Sequence, residues 1–345
     1  MWQVNKKIKV LGLDIGGAHI KYAVAQNQKA LLKRKIIPFE IYRTPKKLAP
    51  LLKAICKEVK PSAIALSMTG ELADVFVTRR EGVKFILNAA VDAFGGNAIN
   101  VLTVKGSFVS VSVAMKQTEL VSAANFMATV LYTASIVDNS VVVDIGSTTT
   151  DILPVINWSP AILAHDDLGR LKSGELFYGG YLRTNASSVL QEISIGKTKV
   201  GTCPEFFATV GDAHLYSGDI TAKDYTCQTP DGGPKTKRGA GIRLARLILS
   251  DPQTLSAKEI ESIARQIVKA QTEKIADAIK KLIVKRKMQN AKILLTGAGA
   301  KVYRVKLARM IKNPFPGKVN GIKVENISPA SASATKLLSA YLGAE

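Results

Sequence analysis

Apolar and polar residues alternate from Lys7 to Leu13, and Ile20–Ala25 follows after a Gly-Gly turn, which predicts a β-hairpin. Pro45–Lys57 sets Leu48, Leu51, Leu52 and Ile55 on one side, the spacing of a helix. Ala63–Met68 is a short apolar run, read as a buried strand that ends at Thr69-Gly70-Glu71. Val101–Val104 and Phe108–Val113 predict two more strands. Glu119–Val137 is rich in Ala and holds no Gly or Pro, which predicts a helix. Val141–Asp144 reads as a strand, Gly146–Thr150 as a turn, and Asp151–Ile156 as a returning strand in which Pro154 marks an edge or bend. Between 164 and 240 Gly, Asp and Thr are frequent and no period persists. Ser256–Lys287 carries Ile260, Ile263, Ile267, Ile275, Ile279 and Ile283 at helical spacings. Ile293–Leu295 predicts a strand running into Thr296-Gly297-Ala298-Gly299-Ala300, and Ser331–Leu342 a closing helix.

One pattern occurs twice. Gly12-Leu13-Asp14-Ile15-Gly16-Gly17 leads into a new strand carrying Lys21. Val143-Asp144-Ile145-Gly146-Ser147-Thr148-Thr149-Thr150-Asp151 does the same. Each copy is a strand, Asp-Ile-Gly, a tight turn and a returning strand. The two aspartates lie 130 residues apart, too far for a solenoid repeat but suited to one hairpin in each of two lobes. A phosphate needs closely approaching backbone N–H groups, which Gly permits, and Ser147, Thr148 and Thr149 add hydroxyl donors. Aspartate does not favour a bare phosphate. Asp14, Asp144 and Asp151 therefore imply a divalent cation, Mg²⁺, held largely through waters and shared with the phosphates. Lys21 would offset the remaining negative charge. Gly297 and Gly299 supply a third Gly turn.

At 345 residues the chain is too long for one ordinary core, and its 47% apolar residues suffice for two. The expected division is 1–137, 138–328 and a closing helix at 329–345 that returns to the first lobe. No apolar stretch approaches the ~20 residues needed to cross a bilayer, and the N-terminus lacks the apolar region of a signal peptide, so a cytoplasmic protein without a membrane partner is expected. Cys56, Cys203 and Cys227 form no disulfide framework, and Cys203, His214 and Cys227 match no zinc spacing. The net charge of +21 suits acidic partners, but its short runs, such as Lys33-Arg34-Lys35, read as solvated faces. A phosphorylated small molecule is preferred to nucleic acid, and homo-oligomerisation stays open. Gly196-Lys197-Thr198 ends like a P-loop, yet Gln191 stands where that motif needs Gly. Val302 likewise replaces the third Gly of a dinucleotide fingerprint.

The paired Asp-Gly hairpins resemble those of the actin, sugar-kinase and heat-shock ATPase superfamily. That resemblance implies an α/β, two-lobed, actin-like ATPase (ribonuclease H-like) fold with a cleft between the lobes. A closer resemblance rests on segments that recur in order: Asp14–Lys21, Met68–Asp74, Ala124–Thr129, Asp144–Asp151, Gly174–Thr184, Glu205–Thr209 with Asp212, and Asp231–Thr236. These are similar to a family labelled hydantoinase/oxoprolinase-like and linked to tetrahydromethanopterin one-carbon metabolism. His19 and Gly233 depart from the family pattern, standing where Asn and Arg are expected.

The resemblance implies a transferase of methanofuran biosynthesis. It would join an aminomethylfuran-methyl diphosphate to the phenol of γ-glutamyltyramine and release diphosphate. Glu175 and Asp212 are then candidate bases. Lys21 and Arg183 are candidate phosphate contacts, with Lys21 also serving the reaction. Gly16, Gly17, His19, Gly146, Ser147, Thr148, Thr149, Gly297 and Gly299 are candidate substrate or phosphate holders. Taken alone, Arg183 reads equally as a surface ion pair, and Glu71 and Asp74 as charges at a helix N-terminus. His165 and His214 read as satisfied loop or core histidines. An ATP-dependent kinase or ring-opening hydrolase of the same fold is the alternative enzyme, and a nucleotide- or nucleic-acid-binding protein the non-enzymatic one.

Overall fold

A computed structural model of the chain describes residues 8–26, 29–95 and 99–311. The expected closing helix at 329–345 lies outside the described residues. The chain forms two compact units. Among the described residues, one holds the chain up to Asn139 and Leu153–Arg170; the other holds Ser140–Ile152 and the chain from Leu171 to Ile311.

In the first unit, strands β1 (Lys9–Ile15), β2 (His19–Gln26) and β3 (Lys29–Pro38) form an antiparallel meander. Helix α1 (Leu48–Val59) then leads to β4 (Ala63–Met68), and α2 (Arg79–Phe94) to β5 (Ile99–Leu102) and β6 (Phe108–Ser110). The sheet order is β3-β2-β1-β4-β5-β6, with β1, β4 and β5 parallel to one another. β4 is buried along its whole length, which is why it reads as an apolar run, and β1 is buried from Val10 on, where its alternation gives way to apolar residues. Leu11, Leu13 and Ile15 join one core with Leu48, Leu52 and Ile55 of α1 and Val83, Ile86 and Leu87 of α2. Val10, Ala63, Ala65 and Leu102 pack on the other face with Ala128.

Three boundaries differ from the sequence expectation. Pro45–Lys47 is a 3₁₀ turn, and the α-helix begins only at Leu48. The expected strand Phe108–Val113 stops at Ser110, whose hydroxyl accepts from the Val113 N–H and caps helix α3 (Val111–Lys116). The expected helix Glu119–Val137 is interrupted: Thr118–Leu120 is 3₁₀, Ala123 has φ of +53°, and α4 covers only Asn125–Ala134. A left-handed residue cannot continue an α-helix.

Strands β7 (Ser140–Ile145) and β8 (Thr150–Ile156) follow, then the short β9 (Ser159–Pro160), α5 (Asp167–Ser173) and β10 (Leu176–Phe177). The region that looked irregular contains α6 (Ala186–Val189), the hairpin β11 (Glu192–Ile195) with β12 (Thr198–Gly201), and α7 (Val210–Ser217). Helix α8 (Lys237–Arg246) precedes the long α9 (Ala257–Lys285), β13 (Lys292–Thr296) and α10 (Ala300–Ile311). The second sheet runs β10-β8-β7-β13, with β7 and β13 parallel. Ser256 and Glu259 start α9 with a reciprocal capping box, and its row of Ile side chains is buried. The P-loop look-alike is the tip of the β11–β12 hairpin, where Gly196 has φ of +58°. Among the described residues no helix is long and apolar enough to cross a membrane.

Candidate functional site

β1 carries Asp14 to the first turn, opposite Lys21 on β2 and Ser67 on β4. The Asp14 side chain is 1% exposed. Its Oδ2 lies 3.4 Å from Lys21 Nζ, while its Oδ1 is buried with no hydrogen-bond partner among the described residues. A buried acceptor without a donor costs about 1–3 kcal/mol, so this oxygen calls for a donor or cation beyond the described residues. The turn closes through the Gly16 N–H, which donates to the His19 carbonyl at 2.9 Å. It is pinned from both sides. Phe39 and Ile41 N–H groups donate to Ala18 and Gly17 carbonyls, and Thr69 and Gly70 N–H groups both donate to the Ile15 carbonyl at 3.0 Å. A Cβ at Gly17 would meet no atom within 4 Å, so this position leaves room for a ligand.

The second turn is built the same way and enclosed more tightly. Asp144 is half-buried near the end of β7, and the Gly146 N–H donates to the Thr149 carbonyl at 2.8 Å. Two Gly-bearing loops cover this turn. In the first, Tyr181 donates to the Gly146 carbonyl, and Leu182 and Arg183 donate to the Ser147 carbonyl. A Cβ at Gly180 would lie 2.5 Å from Gly146 O, Ser147 C and Thr148 N, all backbone atoms that cannot step aside. In the second, the Gly299 N–H donates to the Ile145 carbonyl at 2.9 Å, and Gly297 has φ of +85°. A side chain at Gly297 would run into Asp144 Oδ1. Thr296 is the register partner of Asp144 across β7 and β13.

Within the second unit the structure therefore brings together Asp144, Gly146, Ser147, Thr148, Thr149, Arg183, Gly297 and Gly299. Asp151 and Glu175 lie beside the same turn. Leu176 pairs with Asp151, and the Ile152 N–H donates to the carbonyl of Glu175, whose side chain is 1% exposed. Tyr181, with its phenol pushed up to about 12 by burial and then by Asp224, stays protonated.

Asp212, the other candidate base, is placed elsewhere, and its carboxylate is engaged in bonds of its own. It forms the capping box of α7 with Thr209, and its Oδ1 takes Arg243 Nε at 2.8 Å in a fully buried ion pair. Burial works against the Arg243 charge, but bonds to Asp212 and Asp231 outweigh it and raise the Arg243 pKa. Asp212 has an indirect link to the turn: the start of α7 hangs on the Arg183 loop through Val210 to Thr184 and Gly211 to Leu182. His214 is a satisfied core histidine. Its Nδ1 lies 2.9 Å from Asp219 and its Nε2 3.0 Å from the Tyr303 hydroxyl.

Gly180, Gln271 and Arg243 were not singled out in the sequence. Gln271 is buried on α9, and its Nε2 donates to the Gly180 carbonyl at 3.3 Å. Its place four residues from both Ile267 and Ile275, within the apolar row of the helix, was the available sign that it faces inward. Gly179-Gly180 did stand inside a recurring segment, and a Gly pair there was a usable sign of close backbone approach. Among the described residues no three His, Cys, Asp or Glu side chains gather into a metal-holding group.

The hydantoinase/oxoprolinase family profile matches residues 63–311. The chain is 33% identical over 299 residues, 86% of its length and 88% of the relative's, to (4-{4-[2-(gamma-L-glutamylamino)ethyl]phenoxymethyl}furan-2-yl)methanamine synthase of Methanocaldococcus jannaschii. It is 37% identical over 175 residues to the Methanococcus vannielii protein of the same name, covering 51% of this chain and 78% of that one. Among solved structures it is similar to nucleotide-free acetone carboxylase, with a TM-score of 0.55, 10% identity, and 87% and 67% of the two chains covered. The α/β actin-like ATPase fold expected from the paired hairpins is the fold observed. The chain belongs to the hydantoinase/oxoprolinase family.

Proposed function

We propose that this protein is a transferase that joins an aminomethylfuran-methyl diphosphate to the phenol of γ-glutamyltyramine, forming an aryl ether and releasing diphosphate. The observation that carries the reading is the 33% identity extending over 86% of the chain to a synthase whose name describes that ether. The two turns support it. Each offers a Gly-rich backbone and an aspartate, a combination that suits a phosphate accompanied by a cation.

In this reaction the bond between the furan-methyl carbon and the diphosphate oxygen breaks, and its electron pair leaves with diphosphate. The phenol oxygen forms the new bond to that carbon and gives up its proton. The electron-rich furan spreads the positive charge that develops. The protein must neutralise the leaving group, orient the phenol and accept its proton. Gly146, Ser147, Thr148 and Thr149 are suited to binding phosphate oxygens, and Arg183 and Lys21 to balancing their charge. Glu175, buried beside the second turn, is the remaining candidate base now that Asp212 is committed to Arg243. Asp14 in the first unit, and Asp144 and Asp151 in the second, are the residues suited to Mg²⁺, and the unpartnered Asp14 Oδ1 fits a cation's demand for oxygen. When bound, that ion would stabilise the charge of the departing diphosphate. The proposed setting is methanofuran biosynthesis in the cytoplasm.

The test is direct. Purified protein is incubated with the furan diphosphate, γ-glutamyltyramine and Mg²⁺, and the ether is sought by mass spectrometry while released diphosphate is measured. Stoichiometric ether and diphosphate are expected. No ether, under conditions where the M. jannaschii relative produces it, overturns the substrate assignment. ADP release from ATP stimulated by these substrates would move the protein to the kinases and hydrolases of its fold.

A further inference from the structure

Two recurring segments, Met68–Asp74 and Ala124–Thr129, lie outside the phosphate turns, although Thr69 and Gly70 brace the first of those turns. The structure joins the loops they belong to at Glu71. This side chain is 1% exposed. Its Oε1 accepts from the Ser122 hydroxyl at 2.7 Å, and its Oε2 is buried with no hydrogen-bond partner among the described residues. Ser122 is positioned by the turn that interrupts the helix expected over 119–137, where Ala123 sits at φ of +53°. A non-Gly residue in that region costs about 1–2 kcal/mol, and such strain concentrates at sites where a side chain must be aimed. Glu71 is also tied to the first turn. It follows Thr69 and Gly70, whose N–H groups hold the Ile15 carbonyl next to Asp14.

The local charges do not supply a partner. Arg79 lies 2.9 Å from Asp167 in an ion pair, so its charge is already balanced. Burial raises the Glu71 pKa, with Asp167 raising it further and Ser122 and Arg79 opposing. Burial thus works against the charged carboxylate, and an approaching cation would favour it. A metal ion asks for several oxygen ligands, whereas Glu71 offers one unpartnered carboxylate oxygen. An alkylammonium needs fewer oxygens and fits a single carboxylate whose other oxygen is already fixed.

We infer that Glu71, oriented by Ser122, binds the primary ammonium group of the furan substrate. This rests on the proposed reaction, whose diphosphate substrate carries an aminomethyl group on the ring. One end of that substrate would be recognised by the first phosphate turn and the other by Glu71, which belongs to the same unit. Glu71 is thus a specificity residue and takes no part in the bond exchange.

The experiment compares the aminomethylfuran diphosphate with its methylfuran analogue, for the full-length protein and for Glu71→Gln. The wild-type protein should prefer the amine by about 10- to 100-fold in kcat/KM, the range expected for a hydrogen bond to a charged group. Glu71→Gln should reduce the preference to less than about threefold while still forming ether from the methyl analogue. Retention of the full preference by Glu71→Gln overturns the inference. So does a retained preference accompanied by a raised Mg²⁺ requirement, which would mark Glu71 as a metal contact. Should Glu71→Gln fail to fold, Ser122→Ala serves instead, and an unchanged preference there also overturns it. If the wild-type protein forms no ether from either compound, the proposed reaction fails first and this inference with it. If ether forms without preference for the amine, only the inference fails.

Discussion

A methyl group added at residue 180 has nowhere to go, because the atoms around it belong to the backbone of the second turn. Backbone contacts at 2.5 Å can be relieved only by moving the turn or the loop, and overpacking of this kind costs about 1–3 kcal/mol. Gly17 in the first turn is the opposite case, with open space where a Cβ would sit. Gly180→Ala is expected to lower the urea midpoint by an amount equivalent to about 1–3 kcal/mol and to abolish most turnover. Gly17→Ala should change stability by no more than about 0.5 kcal/mol, yet raise KM for the diphosphate substrate, since the methyl occupies the phosphate's space. Equal stability losses in the two variants would contradict this account. The distinction between the two glycines is not legible in the sequence. Both stand in Gly-Gly pairs, Gly16-Gly17 and Gly179-Gly180, and only the neighbouring loops decide which one is enclosed.

Helix α7 shows how an element secures a site it does not enter. Its first turn is capped by Thr209 and Asp212, and Arg243 from α8 completes the network. Removing one partner of a buried ion pair leaves an uncompensated charge, worth about 3–5 kcal/mol, so this pair fixes how α7 and α8 pack. Two residues on, His214 ties α7 to α10 through Tyr303 and to Asp219, which also takes Lys306 Nζ at 2.8 Å. Burial holds the His214 pKa below its ordinary value of about 6.5, outweighing the opposing pull of Asp219. Between the lowered folded value and about 6.5, the unfolded chain binds a proton that the folded chain refuses. Stability is therefore intact above about pH 6.5 and falls as the pH drops, by at most about 1.4 kcal/mol per unit from this group. His214→Gln should be less stable at pH 7 but should lose that slope, as read from urea midpoints at pH 7 and 5.5. An undiminished slope in the variant would assign it to other groups. Elements with strong periodicity, such as β1, β4 and α9, were legible because burial on a defined face writes itself into the chain. Helix α3 and the break at Ala123 were not, because each depends on a single cap or dihedral that leaves the apolar pattern unchanged.

At the scale of the molecule, the sequence announces two cores through length and through the repeated Asp-Ile-Gly turn, and the structure has two compact units, each carrying one copy. The return of residues 153–170 to the first unit was not legible, since β8 passes from one unit to the other inside a single apolar strand. The net charge of +21 adds a question that neither turn answers alone, because a chain so basic attracts any polyanion. Diffuse attraction and a built site respond differently to salt. Exposed charges are screened over about 8 Å at physiological ionic strength and about 3 Å at 1 M, whereas bonds within an enclosed turn persist. A ligand present at 100 times its Kd stabilises the folded state by about 2.7 kcal/mol, which for a chain of this size raises Tm by about 4 °C. Diphosphate with Mg²⁺ is expected to produce a shift of that order at physiological salt and to keep most of it at 0.5 M salt. Asp14→Ala, which removes the unpartnered Oδ1, should reduce the shift to about 1 °C or less. A shift that vanishes with salt and is the same in Asp14→Ala would mean that diphosphate is held by the charge of the surface at large, and the first turn would lose its assignment as a ligand site.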